Sequence, residues 1–254
     1  MMPFSEALRT WRKTRRYSQL ELAIEANVSA RHISFLESGR ARPSPAMISR
    51  LGDALQLPLS ARNQMLTVAG FAIRYPGRRW SADEMAPIRA AVDHMLLRHA
   101  PFPALAADRL WTVIRLNEPA QMLFGSLGIR EGDSLLDLLL SDALPPLVEN
   151  WPDVARRAAL RLRTESAAQG GIAAFDRAAA RLSAVPGASN APDGPVVPTT
   201  FRLGDTRLSL FATISQFGTP EDVTLDDIKI ELYFPADAQT ETALRALAAA
   251  RSPA

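Results

Sequence analysis

Apolar residues recur at helical spacing from the start of the chain: Phe4, Leu8 and Trp11 share one face of the stretch 4–15, leaving Arg9, Arg12, Lys13 and Arg15 for the other. A first helix is expected there. After Arg16-Tyr17, Ser18 and Glu21 stand three residues apart as the two halves of a capping box, which opens a second helix running to about Ala26. In Asn27-Val28-Ser29 the asparagine tolerates the left-handed conformation that ends a helix, and the serine caps the next one. Val28, Ile33 and Leu36 are spaced to close a core beneath this turn, and Ala23 is small where two helices must cross. The third helix then turns Ala30, Arg31, His32 and Ser34 outwards; Phe35 suits core as well as contact. Gly39 ends it, Pro43-Ser44-Pro45 restarts the chain, and Met47, Ile48, Leu51, Ala54 and Leu55 mark a fourth helix, with a fifth over Ser60–Val68.

The pattern then changes. Gly70 to Arg79 mixes breakers, aromatics and three arginines, as a joint between domains does, and the boundary is placed near residue 80. Ile88, Val92, Met95 and Leu96 predict a helix over Pro87–His99, and Leu110–Leu116 reads as a strand. Asn117 caps a helix carrying Ala120, Leu123 and Phe124, and a longer helix is expected from Leu147 to about Ala168. Pro186–Pro198, small, polar and proline-rich, reads as a mobile loop. The last third alternates with the two-residue period of half-buried strands over Thr200–Leu203, Leu208–Phe217 and Ile228–Phe234, with Gly204-Asp205 for a hairpin turn, and closes with a helix from about Thr240 to Ala250. The expected fold is multi-domain: an all-α, five-helix domain over 1–70, a linker over 71–86, and an α+β domain with an antiparallel sheet over 87–254. A sheet covered by helices on one face is a natural place for a pocket.

Composition narrows the chemistry. The chain has 254 residues, 47% of them hydrophobic and none of them cysteine, which excludes disulfides, thiol catalysis and thiolate metal sites. No run approaches the roughly 20 apolar residues that span a bilayer, and Met1 to Arg16 turns polar and basic, so a cytoplasmic location without membrane contact is expected. The net charge of +2 hides an asymmetry: residues 1–80 hold 13 Lys and Arg against 5 Asp and Glu, so the remainder is acidic. A basic head suits a polyanion, because Lys and Arg that neutralise phosphates supply the sequence-independent part of nucleic-acid affinity.

Raw material for an enzyme exists in Asp133, Asp137, Asp222, Asp226 and Asp227, but these form no catalytic motif, and neither a Gly-rich phosphate loop nor a G-x-S-x-G nucleophile elbow is present. His94 and His99, five apart, do not share a helical face and have no companion ligands for zinc. No catalytic residue, metal or cofactor is assigned.

Two stretches carry a family resemblance. Gln19-x-Glu21-Leu22-Ala23, Val28-Ser29, Ile33-Ser34-x-Leu36-Glu37-x-Gly39-Arg40 and Arg42-Pro43-Ser44 resemble the phage-repressor (Xre) helix-turn-helix family over about residues 4–68, with Asn27 where that family usually has glycine. The resemblance implies that the second helix abuts phosphate through Gln19 and that the third enters the major groove, giving base-facing positions to Ala30, Arg31 and His32, with Ser29 and Ser34 beside them. Arg31 is the candidate base reader, through guanine O6 and N7, whereas Arg40 and Arg42 suit backbone phosphate. Pro103-Ala104-Leu105, Arg109-Leu110-Trp111-x-Val113 with Asn117, Asn150-Trp151-x-x-Val154-Ala155, Phe217-Gly218-Thr219-Pro220-x-Asp222-Val223-Thr224-Leu225 and Phe234-Pro235-Ala236-Asp237 resemble the MmyB-like regulator ligand-binding domain, a PAS-like fold, over roughly residues 87–250. That resemblance implies a sensor for a small apolar molecule, of which a fatty acid or similar lipid is one candidate. Trp111, Phe124, Trp151, Phe201 and Phe211 are its candidate lining residues, although aromatics at such spacing also serve as plain core. Asn117 is either a ligand contact or a structural cap. The expected partners are double-stranded DNA, the small molecule and a second copy of the chain, since such domains read paired half-sites. The alternative is a DNA-binding regulator whose second domain holds a protein, which predicts an exposed apolar patch instead of a cavity.

Overall fold

The computed structural model describes residues 3–188, 195–218 and 220–250, so Thr219 and positions 189–194 of the proline-rich loop lie outside the described residues. The chain divides into two compact units, one of Met1–Gly77, Leu162–Asp176 and Pro220–Asp226, the other of Arg78–Arg161, Arg177–Thr219 and Asp227–Ala254.

In the first unit α1 (Phe4–Thr14), α2 (Gln19–Glu25), α3 (Ala30–Glu37), α4 (Pro45–Ala54) and α5 (Leu59–Val68) follow one another. Three of them start where a serine waits. Ser18 accepts from the Glu21 amide while the Glu21 carboxylate accepts from the Ser18 amide, Ser29 accepts from His32, and Ser44 accepts from Met47. Asn27 takes φ +50 between α2 and α3, and Gly39 takes φ +73 after α3, so both helices stop in the left-handed region. Leu8, Leu22, Ile33, Leu36, Leu51 and Met65 meet in the buried core, each contributing roughly 1.5–3 kcal/mol of apolar burial.

Pro58 precedes α5 and offers no side-chain cap; the acceptor comes instead from Asp226, whose carboxylate takes the Leu59 amide at 2.9 Å. Asn63 of α5 accepts from the amides of Arg74 and Tyr75 and donates to the Tyr75 carbonyl, fastening that part of the 70–77 segment to the helix. Gly170, at φ +80, lies so close to Trp11 that a Cβ there would come within 2.3 Å of the indole.

In the second unit β1 (Ala104–Ala107), β2 (Val113–Leu116), β3 (Thr199–Leu203), β4 (Thr206–Gln216) and β5 (Lys229–Pro235) form one antiparallel sheet in the order β2-β1-β5-β4-β3. Both faces are packed, not one: Ala104, Ala106, Ile228 and Ile230 meet Val92 and Leu96 of α6 (Ala86–Arg98), while Leu105, Ala107, Leu208 and Leu210 pack with α7 (Glu118–Gly125) on the other. Beyond α7 along the chain come α8 (Leu135–Leu140), α9 (Trp151–Ala168), α10 (Ala173–Ser183), α11 (Val223–Asp227) and α12 (Ala238–Ala249), with 162–168 of α9, 173–176 of α10 and 223–226 of α11 belonging to the first unit.

The strand expected over Leu110–Leu116 is shorter than its composition implied. The Asp108 carboxylate accepts from the amides of Leu110 and Thr112, and Trp111 takes φ +66, so residues 108–112 form a turn and the strand begins at Val113. A bulky aromatic in that region is uncommon and stores strain of order 1–3 kcal/mol.

Candidate nucleic-acid interface and ligand pocket

Among the residues expected at DNA, Arg31, Arg40 and Arg42 are exposed, whereas Gln19, Ala30, His32 and Ser34 are half-buried. Arg31 lies one turn from Phe35 with its guanidinium 5.1 Å from the ring centroid, so an aromatic face beneath it limits its freedom. Ser29 is exposed, and its hydroxyl is already used as the cap of α3. Gln19 opens α2, but its side chain points inwards: Nε2 donates to the Glu37 carboxylate at 2.8 Å.

Glu37 is the residue that sequence reasoning missed. It is 3% exposed at the end of α3, and Arg12 engages it in a fork, Nε to Oε1 at 2.6 Å and Nη2 to Oε2 at 2.9 Å. Arg9 adds its charge and donates to the Glu37 backbone carbonyl at 2.7 Å. Burial alone would raise the Glu37 pKa, but hydrogen bonds from Arg12 and Gln19 and the charges of Arg12 and Arg9 outweigh it and hold the carboxyl below its ordinary value. Reciprocally, the hydrogen bond to Glu37 raises Arg12. This cluster ties α1, α2 and α3 together. The available signal was spacing: Ile33, Leu36 and Glu37 fall on one helical face, so a carboxylate shares the buried stripe.

The second unit contains a cavity of about 470 Å³ between the sheet and α8 and α9. Leu135, Leu138 and Leu139 of α8 and Val154 and Ala158 of α9 border it on the helical side; Leu210, Ala212 and Ile214 of β4 border it on the sheet side. Trp111, Phe124, Phe201 and Phe211 also border it. Phe211 does so with its ring stacked on Phe234 at 5.7 Å, since strand alternation turns it away from the face of Ala212 and Ile214. Trp151 is half-buried against the core and does not border the cavity.

Asn117 does not border it either. The Asn117 carbonyl oxygen accepts from the amides of Ala104 and Ala120, and its amide nitrogen donates to the carbonyls of Leu96 and Phe102, so its hydrogen-bonding capacity is spent joining α6, β1 and α7.

One end of the cavity is polar. Glu231 accepts from Arg161 of α9 and from the hydroxyl of Tyr233, and the Arg161 guanidinium lies 4.4 Å from the Trp111 ring centroid. Burial, followed by the charge and hydrogen bond of Glu231, pushes the Tyr233 hydroxyl well above its ordinary pKa.

Four of the five carboxylates considered for catalysis have structural partners: Asp133 accepts from the Arg130 amide and Asp222 from the Thr224 amide, Asp226 caps α5, and Asp227 pairs with Arg109 at 3.5 Å. His99 lies 2.7 Å from the Tyr233 carbonyl and between the rings of Phe102 and Phe234.

Comparison with known proteins places these two regions. Residues 3–65 match the model of a helix-turn-helix domain, and residues 88–247 match that of the MmyB-like transcription regulator ligand binding domain. An uncharacterised HTH-type transcriptional regulator of Bacillus subtilis (strain 168), RghRB, is 32% identical over 85 residues, which are 33% of this chain and 59% of that protein. The match over 88–247 takes in more than half of the residues, and the chain therefore belongs to the MmyB-like transcription regulators, a family of regulators and not of enzymes.

Proposed function

We propose that this regulator binds double-stranded DNA sequence-specifically as a homodimer through residues 1–70, and that residues 87–254, joined by 71–86, form a PAS-like domain that dimerises and takes up a small apolar molecule, fatty-acid-like in size and shape. The observation that carries the sensor half is the cavity of about 470 Å³, walled mainly by leucine, valine and aromatic side chains. Its volume lies inside the roughly 300–1,000 Å³ usual for small-molecule sites, and its few polar groups gather at one end. A concave site of this volume suits a small molecule, whereas a protein partner would call for a flatter apolar face; Val196 and Ile214 at the cavity are themselves exposed. No helix among the described residues is long and apolar enough to cross a membrane.

For the DNA half, the exposed Arg31 reads a base, Arg40 and Arg42 hold phosphate, and the α2 N-terminus abuts the backbone at Gln19. Ala30, His32 and Ser34 border the same groove, and Ser29 fixes the start of the recognition helix. Ligand uptake alters DNA binding provided that the ligand favours one dimer geometry over another.

Native mass spectrometry of the purified protein, followed by denaturing extraction, tests the sensor half. One small apolar molecule retained per protomer supports it. An empty protein whose melting temperature is unmoved by any long-chain amphiphile removes the pocket assignment. For the DNA half, Arg31→Ala should relax discrimination at one base position by about 1–3 kcal/mol while leaving the fold intact; unchanged operator preference takes Arg31 out of the base-reading role.

A further inference from the structure

We infer that the polar end of the cavity reads a neutral hydrogen-bond donor, a hydroxyl or amide N–H at the end of a long apolar body, through Glu231 and Tyr233; this rests on the small-molecule reading of the cavity. Glu231 and Tyr233 stand two residues apart on β5, pair across to Ile214 and Ala212 of β4, and so face the same side of the sheet, where both border the cavity. The Glu231 carboxylate, 6% exposed, has each oxygen in use: Oε1 accepts from Arg161 and Oε2 from the Tyr233 hydroxyl at 2.8 Å. Tyr233 stays protonated because burial and the charge of Glu231 hold its pKa well above the ordinary value. Its proton is therefore committed to Glu231, and what the phenol oxygen has left to offer a ligand is lone pairs.

The donors at this end are the Arg161 N–H groups on α9, one of them given to Glu231. The remaining lone pairs of Glu231, like those of Tyr233, are acceptors, so β5 offers a ligand acceptors. Charge points the same way. One carboxylate and one guanidinium, the latter stacked on Trp111, already balance. A ligand carboxylate at this end would share Arg161 with Glu231, setting two anions side by side in apolar surroundings where their repulsion is little screened. Arg157, the other cation at the cavity, is exposed to solvent, and its charge is screened. A hydroxyl or amide head adds no charge and meets the spare acceptors, while its chain lies against Leu138, Leu139 and Leu144.

Titration calorimetry of the full chain with 1-dodecanol and with dodecanoate, at a pH where the acid is ionised, tests this. Dodecanol should bind about tenfold more tightly, the scale of one or two net hydrogen bonds. Tyr233→Phe keeps the ring against Phe124 but removes the oxygen; it should erase most of that preference by weakening dodecanol alone. Glu231→Gln removes the competing charge and should strengthen dodecanoate. Dodecanoate binding as tightly as dodecanol to the unaltered protein, or Tyr233→Phe leaving dodecanol untouched, overturns the inference while the apolar cavity stands as a ligand site. Binding of neither compound overturns both.

Discussion

Glu37 carries its charge at a position where most side chains are apolar, and the cost of burying it is met by Arg12, Gln19 and Arg9 together. Replacing it should therefore hurt more than losing a surface ion pair: Glu37→Ala leaves the Arg12 guanidinium, 12% exposed, without its counter-charge, and should cost about 3–5 kcal/mol in urea denaturation. The pH dependence has a definite sign. Because the folded-state pKa lies below the ordinary one, the stabilisation is fully present above the ordinary carboxylate value and is lost as pH falls through the lowered folded value. The acid limb of the stability curve should flatten in Glu37→Gln, measured as denaturation midpoint against pH. Spacing puts Glu37 on the face of Ile33 and Leu36, but residue type argues against burial, because a glutamate at the end of a helix ordinarily faces water. Ser18, Ser29 and Asn27 were legible for the opposite reason: their roles are local, set by neighbours within three or four residues.

Elements whose periodicity survives in isolation were likewise legible: the five helices of the first unit, α6, α7, the hairpin of β3 and β4, and β5. The strand β1 was not, since a segment buried on both faces shows no alternation and its residues are mostly alanine. Nor was α8, whose run of leucines carries almost no polar contrast. Long-range fastening is equally invisible, as when Asn117 bonds to Ala104, Ala120, Leu96 and Phe102 at once. Asn117→Ala strands several of those buried groups, each worth about 1–3 kcal/mol, and should lower the melting temperature by on the order of 10 °C. Gly170→Ala tests a contact between segments far apart in sequence: the new methyl meets the Trp11 indole at a left-handed backbone position, and a loss of about 1–3 kcal/mol is expected. A stability unchanged by that substitution would show that the indole moves aside at no cost.

Across the whole chain, the basic first 80 residues and the acidic remainder assign DNA affinity to one end. Arg40→Ala and Arg42→Ala should each weaken binding by a similar factor on every sequence and reduce the slope of log K against log salt by about 1, read from titrations at several salt concentrations. A change confined to the preferred operator would instead make either residue a base reader. At the other end, the indole of Trp111 forms part of the cavity wall and has a guanidinium stacked on its face. An indole's excited state responds strongly to a nearby charge and to the polarity around it. A molecule that expels water from this cavity, or shifts Arg161 by a fraction of an ångström, therefore changes the colour and brightness of the protein's own emission. Occupancy can be followed optically without a label, and Trp111→Phe, which leaves the emission of Trp11, Trp80 and Trp151 as background, assigns the ligand-dependent change to this residue.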